Sequence, residues 1–360
     1  MKFSHIYNAA LVLPSSILKH SSLTLKDSKI AAINKPAPKD AALINARGLY
    51  LAPGFIDTHI HGSPDDIISH ETRYGTTASV IAVSCGRPVP KISEYPNILG
   101  VRLEGPYINP VMAGAQDKRF IRQSFHSGIG ITEIRSDPGM RIDWFHSRNA
   151  QGDLAVKMMT LAPELPGAER LIRLCKQKGV ISSIGHSDAS YAEAKRSFKI
   201  GVRHATHLFN AMSGPRHGTA GAGFAALFDK RVTVEVIADL KHVRPGLLRL
   251  VFTVKDPDNI ILVTDSVRAP SSGHKTGSRI TMMDAVKNVV THCGLSLPSA
   301  VRMASTNPAR LFGVAGRKGS IAPGKDADLV LFDKNFNVEF VIIGGRIVYQ
   351  KRGLRKRCAE

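Results

Sequence analysis

Cysteine is scarce in this 360-residue chain, and its four copies, Cys85, Cys175, Cys293 and Cys358, lie far apart. No Cys-x-x-Cys spacing occurs, which argues against a structural zinc module and against a disulfide framework, so free thiols are expected. Tryptophan appears once and aromatic residues make up 6%, too few to interleave a basic strip with base-stacking rings. Acidic residues are in deficit, 29 against 49 Lys+Arg, for a net charge of +20. Apart from the locally basic tail Lys351-Arg352-Gly353-Leu354-Arg355-Lys356-Arg357 the excess is scattered. Nucleic acid is therefore not the expected partner, and a positive field suits an anionic small substrate instead. No apolar run is long enough to span a bilayer, so no membrane partner is expected. The start, Met1-Lys2-Phe3-Ser4-His5-Ile6, is followed by Asn8, Pro14 and paired serines without a clean cleavage pattern. That reads as no signal peptide, and a cytoplasmic location is the expectation.

What is present is a soluble composition, 43% apolar and 22% charged, with a clear alternation. Residues 3–50 read as short strands and turns, and so do residues 319–349, where Ala327-Asp328-Leu329-Val330-Leu331-Phe332 and Phe340-Val341-Ile342-Ile343 are strand-like and Gly344-Gly345 signals a hairpin. Neither end holds enough apolar surface for its own core. Residues 1–50 and 319–352 are therefore expected to combine into one small β-sandwich domain, with 353–360 as a basic tail. Between them, in 51–318, eight apolar β-branched runs alternate with helical segments: Gly54 to His59, Ala78 to Val83, Ile98 to Glu104, Val156 to Leu161, Val180 to Ile184, Val202 to His207, Val232 to Ile237 and Ile260 to Thr264. Eight parallel strands with crossover helices predict an α/β fold, a (β/α)8 TIM-like barrel. Ser187-Asp188 reads as the cap of a helix ending at Gly201, Met282 to Cys293 as a helix stopped by Gly294, and Leu297 to Ala304 as another.

Barrel enzymes carry their chemistry at the C-terminal ends of the strands. There this sequence places His59 and His61, Glu104, His186, His207 and Asp265. Residues two apart on a strand share a face, so His59 and His61 can aim at one point. His204 and His207 are three apart, and strand parity lets only one of them face inward; His207 is the expected one. A lone strand-end histidine is more often structural, but six such residues on five strand ends converge on one mouth. Imidazoles with carboxylates and an open position bind a divalent ion that lowers the pKa of water toward neutrality. Zinc fits first, and iron, manganese and cobalt also fit, as one ion or two. Asp265 would take the water's proton and hand it to a leaving amine, which implies hydrolysis of a C–N bond. Lys157 sits at the start of its strand, so a carboxylated lysine bridge is not expected and Glu104 is the shared carboxylate.

With those residues in view, the chain resembles the amidohydrolase superfamily, and within it the N-acetylglucosamine-6-phosphate deacetylase family. The matching blocks are Ala52-Pro53-Gly54-Phe55-Ile56-Asp57, Leu103-Glu104-Gly105-Pro106-Tyr107, Leu161-Ala162-Pro163-Glu164, Gly185-His186-Ser187, Ala205-Thr206-His207-Leu208-Phe209-Asn210-Ala211-Met212, Ile237-Ala238-Asp239 with His242, Leu262-Val263-Thr264-Asp265 and Asn307-Pro308-Ala309-Arg310. The resemblance implies a deacetylase that releases acetate and glucosamine 6-phosphate from a phosphorylated amino sugar. It implies Glu104, His186 and His207 as ligands of a principal metal and His59 with His61 as holders of a second. It places Asn210, Ala211, Ala115, Gln116, Thr276, Gly277 and Ser278 at the sugar and Arg216 and His242 at the phosphate, and it implies a homodimer.

Two departures stand out. Gly114-Ala115-Gln116 occupies the place of a Gly-Ala-His triplet, so a neutral amide replaces a residue that can become a cation. The stretches 62–76 and 86–97 are close to the minimum for crossovers, and the insertion that usually follows the catalytic aspartate is trimmed. The alternatives are an amidohydrolase acting on another N-acyl or cyclic amide, a non-catalytic sugar-phosphate-binding relative, and a basic nucleic-acid binder.

Overall fold

The computed structural model describes residues 3–125, 147–215, 218–268 and 277–351. Five strands open the chain: β1 (Phe3–Val12), β2 (Ile17–Lys26), β3 (Lys29–Ile33), β4 (Ala42–Asn45) and β5 (Tyr50–Pro53). They are followed by β6 (Phe55–Gly62), β7 (Thr76–Val83), β8 (Ile98–Glu104), β9 (Val156–Leu161), β10 (Ile181–Ile184), β11 (His204–Ala205), β12 (Thr233–Ile237), β13 (Ile260–Val263) and β14 (Ser266–Arg268). Helix α1 (Pro64–Glu71) links β6 to β7, and α2 (Ala168–Gln177), α3 (Tyr191–Ile200), α4 (Gly221–Phe228) and α5 (Pro245–Val254) follow β9 to β12 in turn. Then come α6 (Met282–Cys293), α7 (Leu297–Ala304), α8 (Thr306–Leu311), β15 (Leu329–Phe332), β16 (Val338–Ile343) and β17 (Arg346–Gln350).

The chain divides into two compact units. One comprises the described residues of Met1–Asp57, Ile67–Ala78 and Ile280–Glu360. Its eight-stranded sheet runs β17-β16-β15-β5-β1-β2-β3, with β4 also pairing β1, so strands from both ends of the chain share one ladder. Leu11, Leu23, Leu25, Leu51, Leu329, Leu331 and Phe340 are wholly buried or within 1% of it and form a single apolar cluster. The expected helices fall at their expected bounds here. Thr281 and Asp284 form a reciprocal capping box at the start of α6, and Gly294 ends it at φ 78°, a conformation open to glycine without cost. Ser296 caps α7.

The second unit, Thr58–Asp66 and the described residues of Ser79–Arg279, carries the ends of the barrel strands. The nine strands of its sheet run β13-β12-β11-β10-β9-β8-β7-β6-β14, and the pairings from β7 to β13 and of β14 with β6 are parallel. All eight runs read from the sequence contain a strand. The eighth is broken at Thr264-Asp265: its first half, β13, pairs β12, and its second, β14, pairs β6. That break closes the cylinder and yields the (β/α)8 barrel. Helix α3 is capped by Ser190 with Glu193 in a capping box, three residues beyond the Ser187 expected, because Ser187 Oγ is engaged by Glu164 Oε2 at 2.7 Å. In the short 86–97 stretch no helix forms, so β7 and β8 are joined by turns alone.

Candidate active site

Every sequence-predicted metal ligand lies at one end of the barrel. Glu104 ends β8 and is buried. Its Oε1 sits 3.2 Å from His59 Nε2, 3.4 Å from His186 Nε2 and 3.3 Å from His207 Nε2, and its Oε2 is 3.4 Å from His61 Nε2. Asp265 Oδ1 lies 3.3 Å from His59 Nε2 and 3.4 Å from His61 Nε2. Two ligand sets result, Glu104 with His186 and His207, and His59 with His61 and Asp265; within each, one donor atom per residue lies within 4.8 Å of the others. The backbone is bent to achieve this: φ is 48° at His186, 31° at His207 and 46° at Asp265. Left-handed conformations at non-glycine residues cost about 1–3 kcal/mol each and persist where the surroundings hold them for function.

The donor chemistry fits a divalent cation. His186 Nδ1 lies 2.9 Å from Met112 O and His207 Nδ1 3.1 Å from Asn210 O. A carbonyl only accepts, so each ring donates through Nδ1 and turns its Nε2 lone pair into the site. The two Nε2 atoms then face each other at 3.2 Å, and Glu104 Oε1 beside them is buried without a hydrogen-bond donor. Lone pairs so opposed favour positive charge between or beside them, a proton or a divalent metal ion.

The electrostatics agree. At His59, burial and the Arg102 charge favour the neutral ring, but Asp265 and Glu104 outweigh them and raise its pKa to about 10. At His61 burial is likewise outweighed by Asp265 and Glu104, and the value is about 9. Burial raises the Glu104 carboxyl, yet His59, His186 and His207 hold it well below the usual carboxylate range. Asp265 is lowered too, burial being overcome by His59 and His61. The carboxylates are anionic at neutral pH and draw positive charge, proton or metal, to the imidazoles.

Of the other predicted residues, Gln116, Asn210 and Ser278 contact members of this centre. Gln116, expected at the sugar, is buried; its Nε2 donates to Glu104 Oε2 at 2.7 Å and its Oε1 accepts from Cys85 N at 2.9 Å. It clamps the shared carboxylate. Ala115 beside it is exposed. Asn210 Nδ2 donates to His207 O and Leu208 O, both at 3.3 Å, and Ala211, at φ 49°, accepts from Ser187 N at 3.2 Å. Ser278 N donates to Asp265 O at 2.8 Å, and a Cβ on Gly277 would come within 2.5 Å of that same carbonyl oxygen. His242 pairs with Asp239 at 2.7 Å. Arg216 and Thr276 lie outside the described residues. Lys157, near the start of β9, pairs with Asp153 at 3.4 Å and takes no part.

Strand parity fails at one point. His204, expected to face away, is wholly buried, with Nε2 2.8 Å from Glu235 Oε1. β11 is only His204–Ala205, so His207 lies past the strand on a left-handed turn and both imidazoles reach the interior. Arg102 and Glu235, also wholly buried, were not anticipated, since single charges in apolar strand runs read as solvent-facing.

A closed parallel barrel with imidazoles and carboxylates at its strand ends defines a metal-dependent hydrolase architecture, and residues 93–348 match the amidohydrolase family. The chain belongs to that family. It is 29% identical to the N-acetylglucosamine-6-phosphate deacetylase of Bacillus subtilis (strain 168), over 96% of each chain. It is 30% identical to the N-acetylgalactosamine-6-phosphate deacetylase of Escherichia coli O157:H7, over 96% of this chain and 99% of that one. Among solved structures, the N-acetylglucosamine-6-phosphate deacetylase of Pasteurella multocida superposes with a TM-score of 0.82 at 28% identity, covering 97% of this chain and all of that one.

Proposed function

We propose that this protein hydrolyses the acetamide of N-acetylglucosamine 6-phosphate, giving acetate and glucosamine 6-phosphate. The observation that carries the reading is Asp265 Oδ1, an anionic base facing His59 and His61 beside the Glu104, His186 and His207 set. Glu104, His186 and His207 would hold one divalent ion, zinc being the best fit to these donors, and His59, His61 and Asp265 a second; bound there, such an ion would supply carbonyl polarisation and water of lowered pKa. Asp265 takes the proton of the attacking water as the new C–O bond forms, then returns it to the departing nitrogen as the C–N bond breaks. Gln116 holds Glu104 in place through both steps.

Asn210, Ala211, Ala115, Gly277 and Ser278, with Thr276, border the sugar in this reading, and Arg216 and His242 take the phosphate. The charge of +20 favours a dianionic substrate. The protein acts in the cytoplasm as a homodimer; among the described residues no helix is long and apolar enough to cross a membrane. The 30%-identical relative named for the galactose epimer makes N-acetylgalactosamine 6-phosphate the second substrate to assay. Acetate release from both phosphosugars and from their non-phosphorylated forms, with metal counted in the same sample, tests the proposal. Equal activity without the phosphate would point to another N-acyl amide, and no release from a metal-loaded sample would refute deacetylation.

A further inference from the structure

Directly beneath the ligand cluster the barrel interior is charged rather than apolar. Arg102 on β8 and Glu235 on β12 are both wholly buried and paired through Arg102 Nη1 and Glu235 Oε1. The guanidinium also donates to Thr206 Oγ1 at 2.8 Å, Thr160 Oγ1 at 3.3 Å and Thr58 O at 3.3 Å. His204 Nε2 meets the same Glu235 Oε1, and His204 Nδ1 meets Thr233 Oγ1 at 2.5 Å. The other carboxylate oxygen, Oε2, lies 3.1 Å from His59 Nδ1 and accepts from the His207 backbone N at 3.3 Å. One side chain thus touches a member of each ligand set.

A buried ion pair of this kind is rarely kept for stability, because apolar residues of similar volume do as well or better. Barrel interiors are ordinarily filled by branched apolar layers. The geometry instead fits a fixed orienting device. An acceptor on Nδ1 sets the ring plane of His59 and directs its Nε2 at Glu104 and Asp265, while the bond to His207 N pins the left-handed turn that presents the second ring. Arg102 and His204 hold the Glu235 carboxylate so that it cannot rotate away.

We propose that Glu235, locked by Arg102 and His204, is a positioning residue that sets His59 and the His207 turn for metal binding. This rests on the reading of the cluster as a metal centre. Two variants separate positioning from support of the fold. Glu235→Asp keeps the charge for Arg102 but draws the carboxylate back by one methylene. The double variant Arg102→Met/Glu235→Gln removes both charges and leaves neither unpaired.

Each chelator-stripped protein is titrated with Zn²⁺ against a chromophoric chelator, and its thermal midpoint is measured without metal. The expected result is folded protein whose zinc affinity is about 10–100-fold weaker than wild type, with kcat lowered and KM for the phosphosugar unchanged in the reloaded enzyme. Folded variants that bind zinc as wild type does would overturn the positioning role. Should the double variant fail to fold, the Glu235→Asp titration alone decides. A wild-type protein that takes up no zinc, manganese or cobalt overturns the metal centre itself, and with it this inference.

Discussion

Replacing Asp265 by Asn tests the chemistry most directly. The two side chains share shape, and the backbone bonds that fix the residue, from Asp265 N to His59 O and from Ser278 N to Asp265 O, both 2.8 Å, are untouched. What disappears is a proton acceptor whose neighbours keep it ionised. General acid–base catalysis contributes about 10²–10⁴-fold, which is about 2.7–5.4 kcal/mol of barrier. Among the described residues, the one other carboxylate in the two ligand sets is Glu104, whose Oε1 faces three imidazoles within 3.4 Å and whose Oε2 is held by Gln116. With no substitute base at hand, the loss belongs at the upper end, on the order of 10³–10⁴ in kcat. Steady-state acetate release, with metal content and melting temperature measured on the same preparation, gives the answer. A metal-loaded Asp265→Asn protein that keeps more than about a tenth of wild-type kcat would refute the assignment.

Three further outcomes are expected. Gln116→Leu removes the amide that donates to Glu104 Oε2 at 2.7 Å; zinc affinity by chelator competition should fall roughly 10-fold, and an unchanged affinity would deny the clamp. In metal-free protein His59 and His61 titrate at about 10 and about 9, above the unfolded value near 6.5. Their stabilisation is therefore complete below about pH 6.5 and lost as pH rises through 9 and 10; denaturant melts of stripped protein that stay flat across that window would contradict the pairing. Gly54→Ala places a Cβ 2.2 Å from Thr77 Oγ1 and 2.7 Å from its Cβ, an overpacking worth about 1–3 kcal/mol. Calorimetry should show a lower melting temperature, and none of the site residues should lose metal.

The barrel was legible because its strands are apolar runs of the right length bounded by turns: β8 and β9 begin and end where the sequence places them. The ligands were legible because imidazoles and carboxylates at strand ends have few other uses when six converge. What the sequence hid is the layer below. Arg102 and Glu235 each look like an ordinary charge in a strand, and nothing local says that residues 133 positions apart neutralise one another. His204 was hidden for another reason, since alternation holds only while a strand continues and β11 ends after two residues. The role of Gln116 depends on Cys85 N and Glu104 arriving at its two ends, which only the closed barrel determines.

The break in the eighth strand has a consequence for synthesis. The seam that joins β14 to β6 runs through Ile60 and His61 themselves, and the amide of Asp265 is tied to the carbonyl of His59. A ribosome delivers His59 early and Asp265 only after most of the chain has emerged, so the cylinder cannot be sewn shut, nor its mouth armed, until that late stitch is made. Hydrogen exchange at the Asp265 amide during refolding would time the closure of that seam.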